Sequence, residues 1–227
     1  MSRRWKQAGT AAALVLAAAA AQAAVAIDDF NVDQQFPGGG IFPELVEAKG
    51  DMLWGERLTV GGVGRTYVAG AIAVGGVMYY ELEGLQRTAL SISWGADLAG
   101  DLPVAIDLTQ GGINDRLLIR IEVDKATRLT VGLQSYGDLA YSQTFALAAS
   151  DHYIDFSVPF ADLGPDGATL ATRATRVTLG FDGASDSDNS ARGRIDFIRA
   201  VPEPQALELS MLGLLGVAAG IRRQRGR

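Results

Sequence analysis

The only histidine, His152, stands just ahead of Tyr153 at the start of an alternating apolar run. A Ser-His-Asp triad would have to use it, yet no G-x-S-x-G elbow accompanies it, so an exposed structural position is expected. Carboxylates are plentiful, and two suffice for glycoside hydrolysis. Glu81, Asp155 and Asp182 fall on the polar phases of their runs, where solvated surface is the ordinary fate of Asp and Glu. No cofactor is expected, with calcium a candidate exception because hard cations want oxygen ligands and the domain is acid-rich. The densest acidic stretch, Asp182 to Asn189, offers Asp186 and Asp188, but it lacks EF-hand spacing and reads first as a solvated turn. Sugars stack on aromatic faces flanked by polar groups, which makes Trp54, Tyr79, Tyr80 and Tyr136 candidate platforms, with Tyr141 and Tyr153 beside them. Trp94 is in phase with Leu90 and Ile92 and is expected in the core. No residue is assigned a catalytic role.

The elements that must position these residues are strands. Leu90, Ile92 and Trp94 alternate with Ser91 and Ser93. Ile119, Ile121 and Val123 alternate with Arg120 and Glu122, and the same period recurs around Val131, Phe156 and Leu179. Period two marks strands with one buried face. No window of helical length between the two chain ends carries an apolar stripe at 3.6 spacing. The pattern predicts an all-β, antiparallel two-sheet sandwich over residues 27–200, with about ten to twelve strands. Residues 36–55 are the least regular and are expected to loop across one end. With no Cys, a disulfide framework and Cys-ligated zinc are excluded.

Charge is polarised. Residues 27–200 hold 13 basic and 24 acidic side chains, whereas the termini are basic. An acidic domain repels phosphate backbones, so nucleic acid is excluded as a partner. Arg3, Arg4 and Lys6 precede an Ala-rich apolar run and two A-x-A sites. This is the architecture of a signal peptide over residues 1–23, with cleavage as late as residue 26 also allowed, and it implies passage through the secretion machinery. At the other end, Pro202-Glu203-Pro204 must stop the last strand. Leu207 to Ile221 is apolar apart from Glu208 and Ser210, and Arg222, Arg223, Arg225 and Arg227 follow. A helix over residues 207–221 would be about 22 Å long, a marginal span for a hydrocarbon core of about 30 Å. The arginines would stay on the cytoplasmic side.

Those last 27 residues resemble the PEP-CTERM sorting signal, in which the three features occur in this order at the extreme C-terminus. The resemblance implies recognition of Pro202, Glu203 and Pro204 by an exosortase-type membrane protease, with Arg222, Arg223 and Arg225 as stop-transfer charges. It further implies transient anchoring in the inner membrane of a Gram-negative bacterium with the domain in the periplasm. The cell surface or an exopolysaccharide-rich biofilm matrix would follow. Ile27-Asp28-Asp29-Phe30, Ile106-Asp107-Leu108-Thr109, Phe156 to Phe160, Val177 to Phe181 and Ile195-Asp196-Phe197-Ile198 are together similar to the jelly-roll, galactose-binding-like domains found ahead of such tails. That likeness implies adjacent first and last strands, and it would let Asp29 and Asp196 face each other as calcium ligands. The expected function is therefore a non-enzymatic surface or matrix protein. The alternatives are a carbohydrate-binding module for exopolysaccharide and a secreted glycoside hydrolase.

Overall fold

The structure, a computed structural model, describes residues 24–35, 40–47, 52–63, 67–84, 89–95, 104–136, 140–182 and 190–203. The strands are β1 (Val25–Asp28), β2 (Gln34–Gln35), β3 (Gly40–Glu47), β4 (Glu56–Val63), β5 (Tyr67–Val74), β6 (Val77–Gly84) and β7 (Ala89–Trp94). They continue as β8 (Arg116–Val123), β9 (Thr127–Gln134), β10 (Ala140–Leu147), β11 (Ile154–Pro159), β12 (Arg176–Asp182) and β13 (Ala191–Val201). One short helix, α1 (Gly167–Ala171), lies between β11 and β12. Every pairing is antiparallel, and the architecture is the expected jelly-roll sandwich.

The first sheet runs β3-β4-β7-β12-β9-β10. The second runs β2-β5-β6-β13-β8-β11, with β1 joining β13 where β6 leaves off. Hydrogen bonding passes from one sheet to the other through β4, which pairs β7 over Arg57–Val60 and β5 over Gly62–Val63. The expected alternation holds: Leu90, Ile92 and Trp94 are buried on β7, and Ile119, Ile121 and Val123 on β8. Tyr80 of the second sheet stacks on Phe181 of the first, with centroids 4.4 Å apart. At the margin formed by the edge strands β10 and β11, Phe145 meets Phe156 edge-on at 5.6 Å.

Two expectations need correction. Residues 40–47 form the strand β3 where a loop was expected. Pro43 and the flanking glycines hid it, and the structure tolerates that proline because β3 is an edge strand, paired among the described residues with β4 alone. Tyr80 is not a surface platform. Its ring lies in the core, and burial pushes its phenol far above the usual range. Room for that ring comes from Gly193 opposite it on β13, where a Cβ would approach both the Glu122 carbonyl and the Tyr80 ring to 2.5 Å.

A buried polar clasp joins the sheets. Asp28 on β1 and Arg57 on β4 are 1% and 0% exposed and pair at 2.6 Å. The Arg57 Nε donates to Gln34 at 2.7 Å, and its remaining nitrogen donates to the Val32 carbonyl at 2.8 Å. Asp28 also accepts the Trp94 indole N–H at 2.8 Å and the Phe30 amide at 2.7 Å. That last bond holds Phe30 at a φ of 56°, a costly conformation for a bulky residue. A bulge between Ala26 and Asp28 turns the carboxylate inward behind Ile27.

The expected signal helix, residues 1–23, and the apolar segment 207–221 lie outside the described residues. Among the described residues no helix is long and apolar enough to cross a membrane.

Candidate functional site

The outward phases of the second sheet carry the densest chemistry. On β6, Met78, Tyr80 and Leu82 point inward, which leaves Tyr79 and Glu81 outward. On β8 the outward residues include Arg120 and Glu122, and on β13 Arg192 and Arg194. Register then decides who meets whom. Tyr79 pairs with Arg194, and Arg194 with Glu122, while β11 brings Tyr153 alongside. One row thus crosses three neighbouring strands, with Tyr79 on β6, Arg194 on β13 and Glu122 on β8, and ends at Tyr153 just ahead of β11. Three strand spacings make it roughly 14 Å long.

Its centre is tightly organised. Arg194 grips Glu122 through Nε at 2.9 Å and a second nitrogen at 2.6 Å, and its guanidinium lies 4.7 Å from the Tyr153 ring centroid. The Glu122 hydrogen bond raises the Arg194 pKa above its usual value. Tyr153 is raised chiefly by burial, and Tyr79 also adds to the electrostatics of both groups. Tyr79 itself is 45% exposed. Chemically, the row offers an exposed aromatic ring, a guanidinium lying over a second ring, and a carboxylate. It can present apolar faces and both donors and acceptors to a hydroxyl-rich ligand.

Ion pairs flank the row on both sides. Arg192 pairs with Glu81, its Nε donating at 2.8 Å, and its amide donates to Asp124 at 2.6 Å. On the other side Arg120 lies between Asp155 at 3.7 Å and Asp196 at 3.8 Å, with Phe197 next to it. Two of the acids considered for hydrolysis, Glu81 and Asp155, therefore lie beside arginines on an open face. The third, Asp182, is half-buried at the end of β12.

The outer face of the first sheet differs. Register places Ser142, Gly132, Thr178 and Ser93 in one row and Thr144, Thr130, Gly180 and Ser91 in the next. Hydroxyls there bond one another, as Thr130 does with Thr144 at 2.8 Å.

The remaining candidates are dispersed. Trp54 lies half-buried beside Gly95 and gives its indole N–H to the Val104 carbonyl at 2.7 Å. Tyr136 is exposed beyond the end of β9, and Tyr141 packs on Gly164. His152 is exposed beside Asp151, as expected. The terminal strands are adjacent as the resemblance implied, with Val25 opposite Ala200. Asp196 sits at a bulge between Ile195 and Phe197, 3.8 Å from Arg120, and Asp29 directly follows β1. Among the described residues no group of three or more His, Cys, Asp or Glu could hold a metal ion. Asp186, Asp188, Pro204, Arg222, Arg223 and Arg225 lie outside the described residues. Pro202 and Glu203 follow β13 directly, and the Glu203 carboxylate meets Arg116 at 3.4 Å.

Sequence reasoning missed Arg194, Glu122, Asp28 and Arg57. For the first two a signal existed, since both occupy outward phases of strands whose inward phases are apolar. Nothing local marks Asp28 over Asp29.

No protein-family model matches the sequence, and no curated protein is similar to it at a significant level. Among solved structures, the chain is similar to the family 11 carbohydrate-binding module of the cellulosomal cellulase Lic26A-Cel5E of Clostridium thermocellum. Identity is 10% over 73% of this chain and 97% of that one, with a TM-score of 0.41. A mutant family 29 carbohydrate-binding module complexed with cellulohexaose is similar at 9% identity over 78% of this chain and 89% of its own, with a TM-score of 0.40. PfGH50B is similar at 10% identity with a TM-score of 0.44, over 60% of this chain and 22% of that one, so this chain spans less than a quarter of its length. These neighbours are largely carbohydrate-binding β-sandwiches.

Proposed function

We propose that this protein is an exported β-sandwich that binds an extracellular polysaccharide through the outer face of its second sheet. The row Tyr79–Arg194–Glu122–Tyr153 carries this reading, because it sets aromatic and charged groups side by side along a straight surface. A sugar chain needs stacking surface and paired donors and acceptors together, and this row supplies both. Catalysis is not part of the proposal, since the carboxylates on this face are held by arginines. The tail reading belongs to the same proposal: Pro202, Glu203 and Pro204 form a sorting motif for a membrane protease, and the arginine cluster halts transfer. Support for it is the ordered trio in the sequence and the position of Pro202 and Glu203 immediately after the last strand.

Retention of the purified protein on immobilised exopolysaccharide from the producing cells tests the binding reading. Wild-type protein is expected to be retained, and Tyr79→Ala and Arg194→Ala to elute in the void with unchanged melting temperature. Equal retention of all three would remove the row from the reading. Expression with and without the exosortase, followed by mass spectrometry of the mature chain, tests the tail.

A further inference from the structure

The two sheets are bridged at one end by several crossing segments. The chain from residue 104 to 115 spans it, with Ile106 bonded to Ala174, the Leu108 amide to the Ala171 carbonyl at 2.9 Å, and the Asp115 amide to the Val201 carbonyl at 3.2 Å. The Thr175 amide reaches the end of β9 at Gln134, 2.8 Å away. Segments 104–115 and 159–175, the end of β9 and the end of β13 therefore meet at one pole.

Large apolar side chains are displayed there. Val104 is 72% exposed, Ile113 57% and Tyr136 46%. The other exposed large hydrophobics among the described residues, Ile72, Val74 and Tyr79, belong to β5 and β6 on the second sheet. At the opposite pole the turns 124–126 and 148–152 show none. Ile113 rides on a held turn. The Asp107 carboxylate accepts the Thr109 hydroxyl at 2.6 Å and the Gly111 amide at 2.8 Å, and Gly111 and Gly112 have open space around them.

The tail leaves from this pole. Glu203 is tied to Arg116 beside the last strand, and Pro204, Gln205 and Ala206 alone separate it from the apolar segment that starts at Leu207. Even fully extended, the four steps from Glu203 to Leu207 cover about 14 Å. The headgroup layer takes up roughly 5–7 Å of that reach on each side of a bilayer. What remains, at most about 7–9 Å, keeps the pole next to the headgroup surface.

We infer that this pole rests on the lipid bilayer while the tail is inserted, with Ile113 and Val104 entering the acyl boundary and Tyr136 at headgroup level. The inference rests on the membrane-inserted reading of residues 207–221. Aliphatic side chains suit the acyl edge and tyrosine the interface, and the held turn keeps the ordering cost low. The orientation leaves the Tyr79–Tyr153 row on the flank of the sandwich, open to a polysaccharide while the protein is anchored.

The absence of Cys makes the test direct. Single-cysteine variants Val104→Cys, Ile113→Cys and, at the far pole, Ala126→Cys are labelled with a polarity-sensitive dye. The chain, with its tail intact, is reconstituted into phosphatidylethanolamine–phosphatidylglycerol vesicles. Blue-shifted emission quenched by spin-labelled lipid is expected at 104 and 113 and not at 126. Vesicles that float with bound protein while all three dyes behave alike overturn the inference and leave the tail reading standing. Protein that does not float with vesicles overturns both.

Discussion

Two arginine–carboxylate pairs sit in this sandwich under opposite conditions. Arg57 and Asp28 meet buried between the sheets, while Arg194 and Glu122 meet on an open face. Burial makes the first pair structural: each charge has given up its hydration, so neither tolerates loss of the other. Each of its nitrogens and carboxylate oxygens has a partner, with Gln34, Val32, Trp94 and Phe30 bonding beside the ion pair. Solvent weakens the second pair as a stabiliser and leaves it accessible to a ligand. Similar chemistry thus serves cohesion inside and, in the proposed reading, recognition outside.

The largest expected break in that contrast is Asp28→Ala. It strands the Arg57 guanidinium in the core and should cost about 3–5 kcal/mol in urea unfolding. A loss below 1 kcal/mol would mean that the clasp does not hold the sheets. Next comes Gly193→Ala, on the strand that carries Arg194. The added methyl meets the Glu122 carbonyl and the Tyr80 ring, so a cost of about 1–3 kcal/mol is expected, together with weaker polysaccharide retention as β13 shifts. Arg194→Ala should leave stability essentially unchanged while abolishing retention, and a large stability loss would erase the distinction between the pairs.

The smallest effect concerns pH. The Asp107 carboxyl is held below the usual carboxylate range, chiefly by the Thr109 hydroxyl and further by the backbone amides of Gly111, Thr109 and Gln110. Its folded value lies below the unfolded value of about 3.9, so its contribution is present above that pH and fades as pH falls through the folded value. The group is exposed and screened, so the slope should be slight. Asp107→Asn should flatten it, which acid unfolding of the two proteins side by side would detect.

Much of the sandwich was legible because the pleat imposes period two on any strand with one wet face. Leu90, Ile92 and Trp94 read as core and are core. The same logic failed at Tyr79-Tyr80, where two adjacent tyrosines cannot share a face and the phase had to be taken from Met78 and Leu82. It failed at β3 too, since an edge strand tolerates proline and an irregular pattern. The candidate row was half-visible: Tyr79 and Tyr153 were named from their type, and their partners were not.

From the sequence alone came the strand period, the all-β class, the polarised charge and the sorting-like ends, because each is a property of consecutive residues. Tertiary structure decided that Asp28 and not Asp29 faces Arg57, and that Tyr79, Arg194, Glu122 and Tyr153 share a row. Those outcomes depend on bulges and on register between strands far apart in the chain. A one-residue slip there reverses which face a side chain occupies.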